Sequence, residues 1–187
     1  MKIAFSSKWD LKTGVRTTEL FGHAGDVVAM SLHPTDVNVL VTGSVDKTAK
    51  LWDLRTKSCQ QTFYGHTADV NSVFVSFTTL SWQLRQNCWI HLETALQFHP
   101  SGFAFATASE DFTTRLFDIR SDQEVSQYAA PTPNVGFTSV ILSKSGRYLL
   151  AGGDEGGIHT WDALKSAYLG KILALSIFQA FESIFIN

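Results

Sequence analysis

The chain has 187 residues, a formal net charge of −2 and a hydrophobic fraction of 44%, the size and composition of one globular domain. The near-neutral charge offers no basic footprint for nucleic acid, and no apolar run is long enough to span a bilayer. Two cysteines, Cys59 and Cys88, set no disulfide framework, and the opening Met1-Lys2-Ile3-Ala4-Phe5 lacks the apolar core of a signal peptide, so a cytosolic setting is expected.

In chain order, Trp9-Asp10, Trp52-Asp53, Phe117-Asp118 and Trp161-Asp162 each close a run of alternating residues. The gaps between the aromatic residues are 43, 65 and 44. Setting aside the 23 residues from Phe74 to Leu96 brings the middle gap to 42. The clearest unit opens at Gly22-His23. Residues 27–32 predict its first strand, and His33-Pro34-Thr35-Asp36 turns the chain into a second, residues 39–42. Val45-Asp46-Lys47-Thr48 is a tight turn to a third strand, 49–52, and Arg55 to Ser58 turns into a fourth ending at Phe63. Four short strands separated by turn signals predict an antiparallel sheet.

Within this unit the Asp46 carboxylate can accept from turn N–H groups and from His23, while Ser44 is expected to link His23 to the Trp52 indole, which only donates. Such a buried network must be satisfied throughout, so Asp46→Ala is expected to damage folding. His23, Ser44 and Asp46 also invite a hydrolase reading, which loses because all three fit the repeat lattice and no oxyanion site is evident.

The second unit begins at Gly65-His66, passes through Asp69 to Val73 and resumes at Gln97, with Ser109, Asp111 and Phe117 at the network positions. His23 to Asp46 is 23 residues, and His66 to Asp111 becomes 22 once the same 23 are set aside, which supports an insertion independently. Phe117 has no indole donor, so this network is expected to be weaker. In the third unit Pro131-Thr132-Pro133-Asn134 stands where a Gly-His belongs, and Glu155 lies six residues before Trp161, as Asp46 does before Trp52. Gly152, Gly153, Gly156 and Gly157 make no phosphate loop, because no Gly-Lys-Ser/Thr follows. No cofactor or metal site is expected.

A period near 43 with Gly-His in front and Trp-Asp behind implies an all-β WD40 propeller. It is partial, with about three blades and a strand of a fourth out of an expected seven. The whole chain, 1–187, is read as this one partial propeller, with repeats over 9–73 and 97–170. Residues 74–96, with Trp82, Trp89 and Cys88, form an atypical insertion inside an expected inner strand. Residues 171–187 form an atypical apolar tail. The insertion is attributed to retained noncoding sequence or a gene-model error in preference to a docking loop, and the tail is read as a second departure from the repeat, an aggregation liability unless packed.

The stretches GHAGDVVAMSLHP, VTGSVDKTAKLWD, FHPSGFAFATASED and IHTWDALK resemble the β subunit of heterotrimeric G proteins, in wording nearest the arthropod eye-type form. The resemblance implies a non-enzymatic subunit of receptor-coupled signal transduction. It would bind an α subunit, a γ subunit through an N-terminal helix, and effectors. It would lie in the cytoplasm, peripheral to the inner face of the plasma membrane through its partners. Asp26, Asp69 and Asn71 match the family's α-facing residues. Val28 stands where Met is usual, and Glu110 where Asp is usual. The likeness places the chain from the end of the third repeat through the sixth, without the N-terminal helix. Two flanks would then lack neighbours, so the polypeptide alone is expected to fold poorly and to fall short of normal α binding. The alternatives are a generic WD40 interaction scaffold and a non-functional splice or gene-model fragment.

Overall fold

A computed structural model describes residues 4–74, 102–143 and 145–173. Its elements are all strands, fourteen among the described residues, paired antiparallel in chain order. β1 (Ala4–Trp9) and β2 (Arg16–His23) form a two-stranded sheet. β3 (Val27–Leu32), β4 (Val39–Ser44), β5 (Ala49–Asp53) and β6 (Ser58–Phe63) form a four-stranded one. β7 (Val70–Phe74), β8 (Ala104–Ser109), β9 (Thr113–Asp118) and β10 (Gln123–Ala129) make the next. β11 (Phe137–Leu142), β12 (Tyr148–Gly153), β13 (Gly157–Asp162) and β14 (Ala167–Leu173) make the last. Among the described residues the sheets do not close into a barrel, and the architecture is that of a partial WD40 propeller.

The fraction beyond three sheets is a hairpin, one strand more than the sequence reading allowed. Asp10 closes it by accepting the N–H groups of Lys12 and Thr13 at 2.8 and 3.0 Å. The residues before it then run back as β1, as residues before a Trp-Asp do elsewhere in the chain. Phe74 pairs with Ala106, so the inner strand of the third sheet keeps a residue that the sequence reading gave to the insertion. The rest of that segment, residues 75–96, and the tail from 174 onward lie outside the described residues.

The core lies between sheets. Strands β4 and β8 are buried on both faces, because each sheet has a neighbour on either side. Between the second and third sheets, Phe63 meets Phe105 edge-on at 4.8 Å, and Phe105 stacks on Phe117 at 5.4 Å. Between the third and fourth, Phe137 packs on Trp161, and the Tyr128 hydroxyl donates to the Ala163 carbonyl at 2.9 Å. Leu20 covers Leu40 and Trp52 from the first sheet. A further tie runs between loops, where His33 Nε2 donates to the Gly102 carbonyl at 2.9 Å. The apolar positions Val28, Met30 and Leu32 on β3 remain exposed, as do Ile141 and Ile172 on the last sheet.

Phe105, fully buried between two aromatic partners, and Ile141, on an open face, therefore contrast. Phe105→Ala is expected to cost about 4 kcal/mol, and Ile141→Ala less than about 0.5 kcal/mol. Urea denaturation midpoints of the two variants check both.

Candidate functional site

The links that lead into the inner strands and the turns between second and third strands meet at one end of the sheets. In the first two four-stranded sheets the meeting rests on a carboxylate whose side chain is largely removed from water, Asp46 and Asp111; in the last it rests on Glu155, which is exposed. Asp46, in the β4–β5 turn, accepts at Oδ2 from His23 Nδ1–H at 2.8 Å and from the Ala24 N–H at 2.9 Å. Its Oδ1 accepts from the Thr48 N–H at 3.0 Å and the Thr48 hydroxyl at 2.6 Å. With Nδ1 donating, His23 Nε2 is left as an acceptor and takes the Thr42 hydroxyl proton at 2.7 Å. Thr42 Oγ1 in turn accepts from the Trp52 indole at 2.8 Å.

Thr42, not Ser44, is thus the bridge. Trp52 stands opposite Leu40, and Thr42 is the next residue on that face. Ser44 lies four residues from Leu40, about 13 Å along the strand, beyond the reach of the indole. Ser44 instead accepts the Asp46 N–H at 3.1 Å and shapes the turn. Thr42 and Ser44 are both fully buried, so neither hydroxyl meets a substrate, and the hydrolase-like trio is a structural set.

The second unit repeats the arrangement. Asp111 accepts from His66 Nδ1–H at 2.7 Å and from the Thr67 and Thr113 N–H groups, each at 3.0 Å. His66 Nε2 faces Thr107 at 2.7 Å, and Ser109 takes the Asp111 N–H at 3.1 Å. Phe117 fills the Trp52 place. The expected weakness is one missing donor to Thr107 with no lengthening elsewhere, and Phe117 stacks on Phe105 in its stead.

In the third unit Glu155 and Trp161 do not join one network. Ala151 and Gly153 hold the places of Thr42 and Ser44, so both hydroxyls are gone. Glu155, with the longer arm, receives His159 Nε2–H at 2.7 Å and Lys171 at 2.8 Å. The Tyr168 hydroxyl donates to His159 Nδ1 at 3.1 Å, and the Trp161 indole donates to the Ala129 carbonyl at 3.3 Å. His159 stands where the other units carry Lys50 and Arg115, so the imidazole comes from β13 itself and not from a Gly-His.

Burial pushes the Asp46 carboxyl up, and the hydrogen bonds of Thr48, His23 and the Ala24 N–H outweigh it, holding the group below its ordinary value. Burial likewise opposes ionisation of Asp111, and bonds from His66 and Thr113 bring it well below the usual carboxylate range. Burial lowers His23 and outweighs the raising effect of Asp46. Lys171 and then His159 lower Glu155.

Above these carboxylates the rim is built from matching backbone bonds. Val45 N–H donates to Asp26 O at 3.1 Å, Glu110 N–H to Asp69 O at 3.2 Å, and Asp154 N–H to Gly136 O at 2.9 Å. Asp69, Asn71 and Glu110 come together, the Asn71 amide donating to the Glu110 carboxylate at 3.1 Å. Asp26 and Val28 occupy the same rim on the preceding sheet. Asp26, Val28 and Glu110 are exposed, and Asp69 and Asn71 are half-buried. At the opposite end, the Trp-Asp carboxylates pair with local cations. Asp53 binds Arg55 at 3.0 Å, Asp118 binds Arg120 at 2.7 Å and Asp162 binds Arg147 at 3.3 Å. Among the described residues no group of His, Cys, Asp or Glu is arranged to hold a metal, and no helix is long and apolar enough to cross a membrane. Trp82, Cys88 and Trp89 lie outside the described residues.

The family described as "WD domain, G-beta repeat" matches residues 14–53 and 84–118. The guanine nucleotide-binding protein subunit beta-1 of Nicotiana tabacum is 38% identical over 167 residues, covering 83% of this chain and 38% of that protein. The β subunit of Solanum tuberosum is 36% identical over the same shares. That of Arabidopsis thaliana is 34% identical over 174 residues, covering 88% of this chain and 39% of its own. The chain therefore spans well under half the length of these curated relatives.

Thr42→Val leaves both His23 and Trp52 without their hydroxyl partner and is expected to cost about 3 kcal/mol, whereas Thr107→Val strands only His66 and is expected to cost about half as much. Paired urea titrations measure the difference. The pH dependence has a definite sign. His23 binds its proton less readily when folded, so its contribution is complete above its ordinary value, about 6.5, and declines as pH falls through and below that point. The lowered Asp46 and Asp111 stabilise above the ordinary carboxylate range, and that stability is lost as pH falls through their folded values. A thermal midpoint that declines below about pH 6.5, with a shallower decline in His23→Asn, checks the histidine's part.

Proposed function

We propose, for a chain that is a WD40-type protein related over part of its length to G protein β subunits, that it acts as a non-catalytic β-type subunit in receptor-coupled signal transduction. In this reading it binds an α subunit, a γ subunit and effectors, and is held in the cytoplasm at the inner face of the plasma membrane by those partners. The rim carries the α contact. Asp26, Asp69 and Glu110 offer negative charge, Asn71 orients Glu110, and Val28 offers a small apolar surface. The observation that carries the reading is the assembly of these residues at a single end of the sheets, above the carboxylates that fix their backbone; Asp26, Asp69 and Asn71 resemble the family's α-facing residues, and Val28 and Glu110 replace its usual Met and Asp.

The identities support a β-type subunit at large. The narrower likeness to an arthropod eye-type form is not one that the plant relatives carry, and the proposal does not depend on it. Non-catalysis is supported by the buried hydroxyls of Thr42 and Ser44. The rim also suits electrostatic recognition, since acidic groups on exposed loops accelerate encounter with a basic surface without anchoring the fold.

The test is binding of a purified, GDP-loaded α subunit, with and without added γ subunit. Asp26→Ala combined with Asp69→Ala is expected to weaken α binding at least tenfold while leaving the thermal midpoint within about 1 °C, because these side chains carry no part of the core. Unchanged affinity in that variant, or no binding by the parent chain even at the reduced affinity expected of a partial propeller, would refute the assignment.

A further inference from the structure

The β8–β9 turn holds a residue that serves neither the backbone nor the core. Phe112 has φ 68°, in the left-handed region that a bulky side chain rarely occupies, and it is 45% exposed. The equivalent places in the other two turns are held by Lys47, at φ 69°, and Gly156, at φ 79°. The backbone there is thus set by the turn and not by the side chain. The turn is closed independently, since the Thr113 N–H and hydroxyl both donate to Asp111 Oδ1, at 3.0 and 2.6 Å. A glycine or a solvated lysine satisfies this geometry. An exposed phenylalanine adds strain and exposes apolar surface, and outliers of this kind collect at sites where another molecule makes use of them.

Its surroundings say what that molecule carries. Glu110, two residues earlier, is fixed by the Asn71 amide, and the Glu110 N–H is bonded to the Asp69 carbonyl. Phe112 therefore stands on the acidic part of the rim, on the same turn as one of its carboxylates. We infer that Phe112 is an apolar anchor of this rim and helps set its partner specificity. The partner segment it meets presents an aliphatic or aromatic side chain flanked by cationic ones. Aromatic residues surrounded by polar neighbours commonly dominate such contacts. The inference rests on the rim reading above and adds to it a residue that none of the matched positions includes.

The experiment compares Phe112→Gly, Phe112→Leu and Asp69→Ala in the full chain, using the GDP-loaded α subunit as probe and thermal melting as a second readout. Phe112→Gly is expected to raise the melting midpoint by about 3 °C, because it relieves the left-handed strain, and to weaken α binding about tenfold. Phe112→Leu is expected to keep most of the affinity. This opposition of sign separates an anchor from a fold residue. A Phe112→Gly variant that binds like the parent while Asp69→Ala binds weakly overturns the anchor and leaves the rim standing. A lowered melting midpoint in Phe112→Gly shows that the side chain supports the fold, and also overturns it. If Asp69→Ala binds like the parent, or the parent does not bind, the rim reading fails and the anchor fails with it.

Discussion

The fold depends on satisfying a carboxylate that is largely removed from water. An Asp in that position is tolerable only when every lone pair has a donor, and Asp46 and Asp111 each collect theirs from three places. They take them from the imidazole at the end of the preceding strand or link, from the N–H that follows it, and from the turn's own threonine. Those requirements fix where one sheet hands the chain to the next. The link before each inner strand and the turn beside it are then held as a pair, and the exposed residues between them inherit fixed positions. A rim of fixed shape follows from a constraint on buried charge.

The third unit shows what happens when the set is incomplete. Removing both hydroxyls, at Ala151 and Gly153, leaves no bridge for an imidazole arriving from the preceding link. The chain supplies His159 from within the sheet, and Glu155 reaches it with one more methylene while also taking Lys171. The Trp161 indole is thereby freed from the network and turns to the neighbouring sheet's Ala129 carbonyl. Within sequences of similar outline, two different hydrogen-bond sets support the same strand geometry.

Much of this was legible in the sequence because strand alternation and turn chemistry are local. Strands read over 27–32, 39–42 and 49–52, each within the observed strand, and the turn around Asp46 follow from period-two patterning and from an Asp that bonds its own turn. The bridge was misread because Ser44 and Thr42 share a face, and sequence spacing alone does not tell which one lies diagonal to Trp52; the register Leu40↔Trp52 does. Recurrence could not decide it either, because threonine at 42 and 107 gives way to alanine at 151 just as serine at 44 and 109 gives way to glycine at 153. His159 and Phe112 were missed for a different reason. Each departs from its sister units, and a repeat-based reading notices agreement more readily than exception.

The paired guanidinium groups at the Trp-Asp end have an electrical consequence. Among the described residues, the carboxylates of Asp53, Asp118 and Asp162 are offset in place by the neighbouring guanidinium groups of Arg55, Arg120 and Arg147, while those of Asp26, Asp69 and Glu110 stand on the opposite rim. The field of unpaired surface carboxylates reaches only as far as salt permits, roughly 8 Å at physiological ionic strength, so such a rim acts on positive charge at close range.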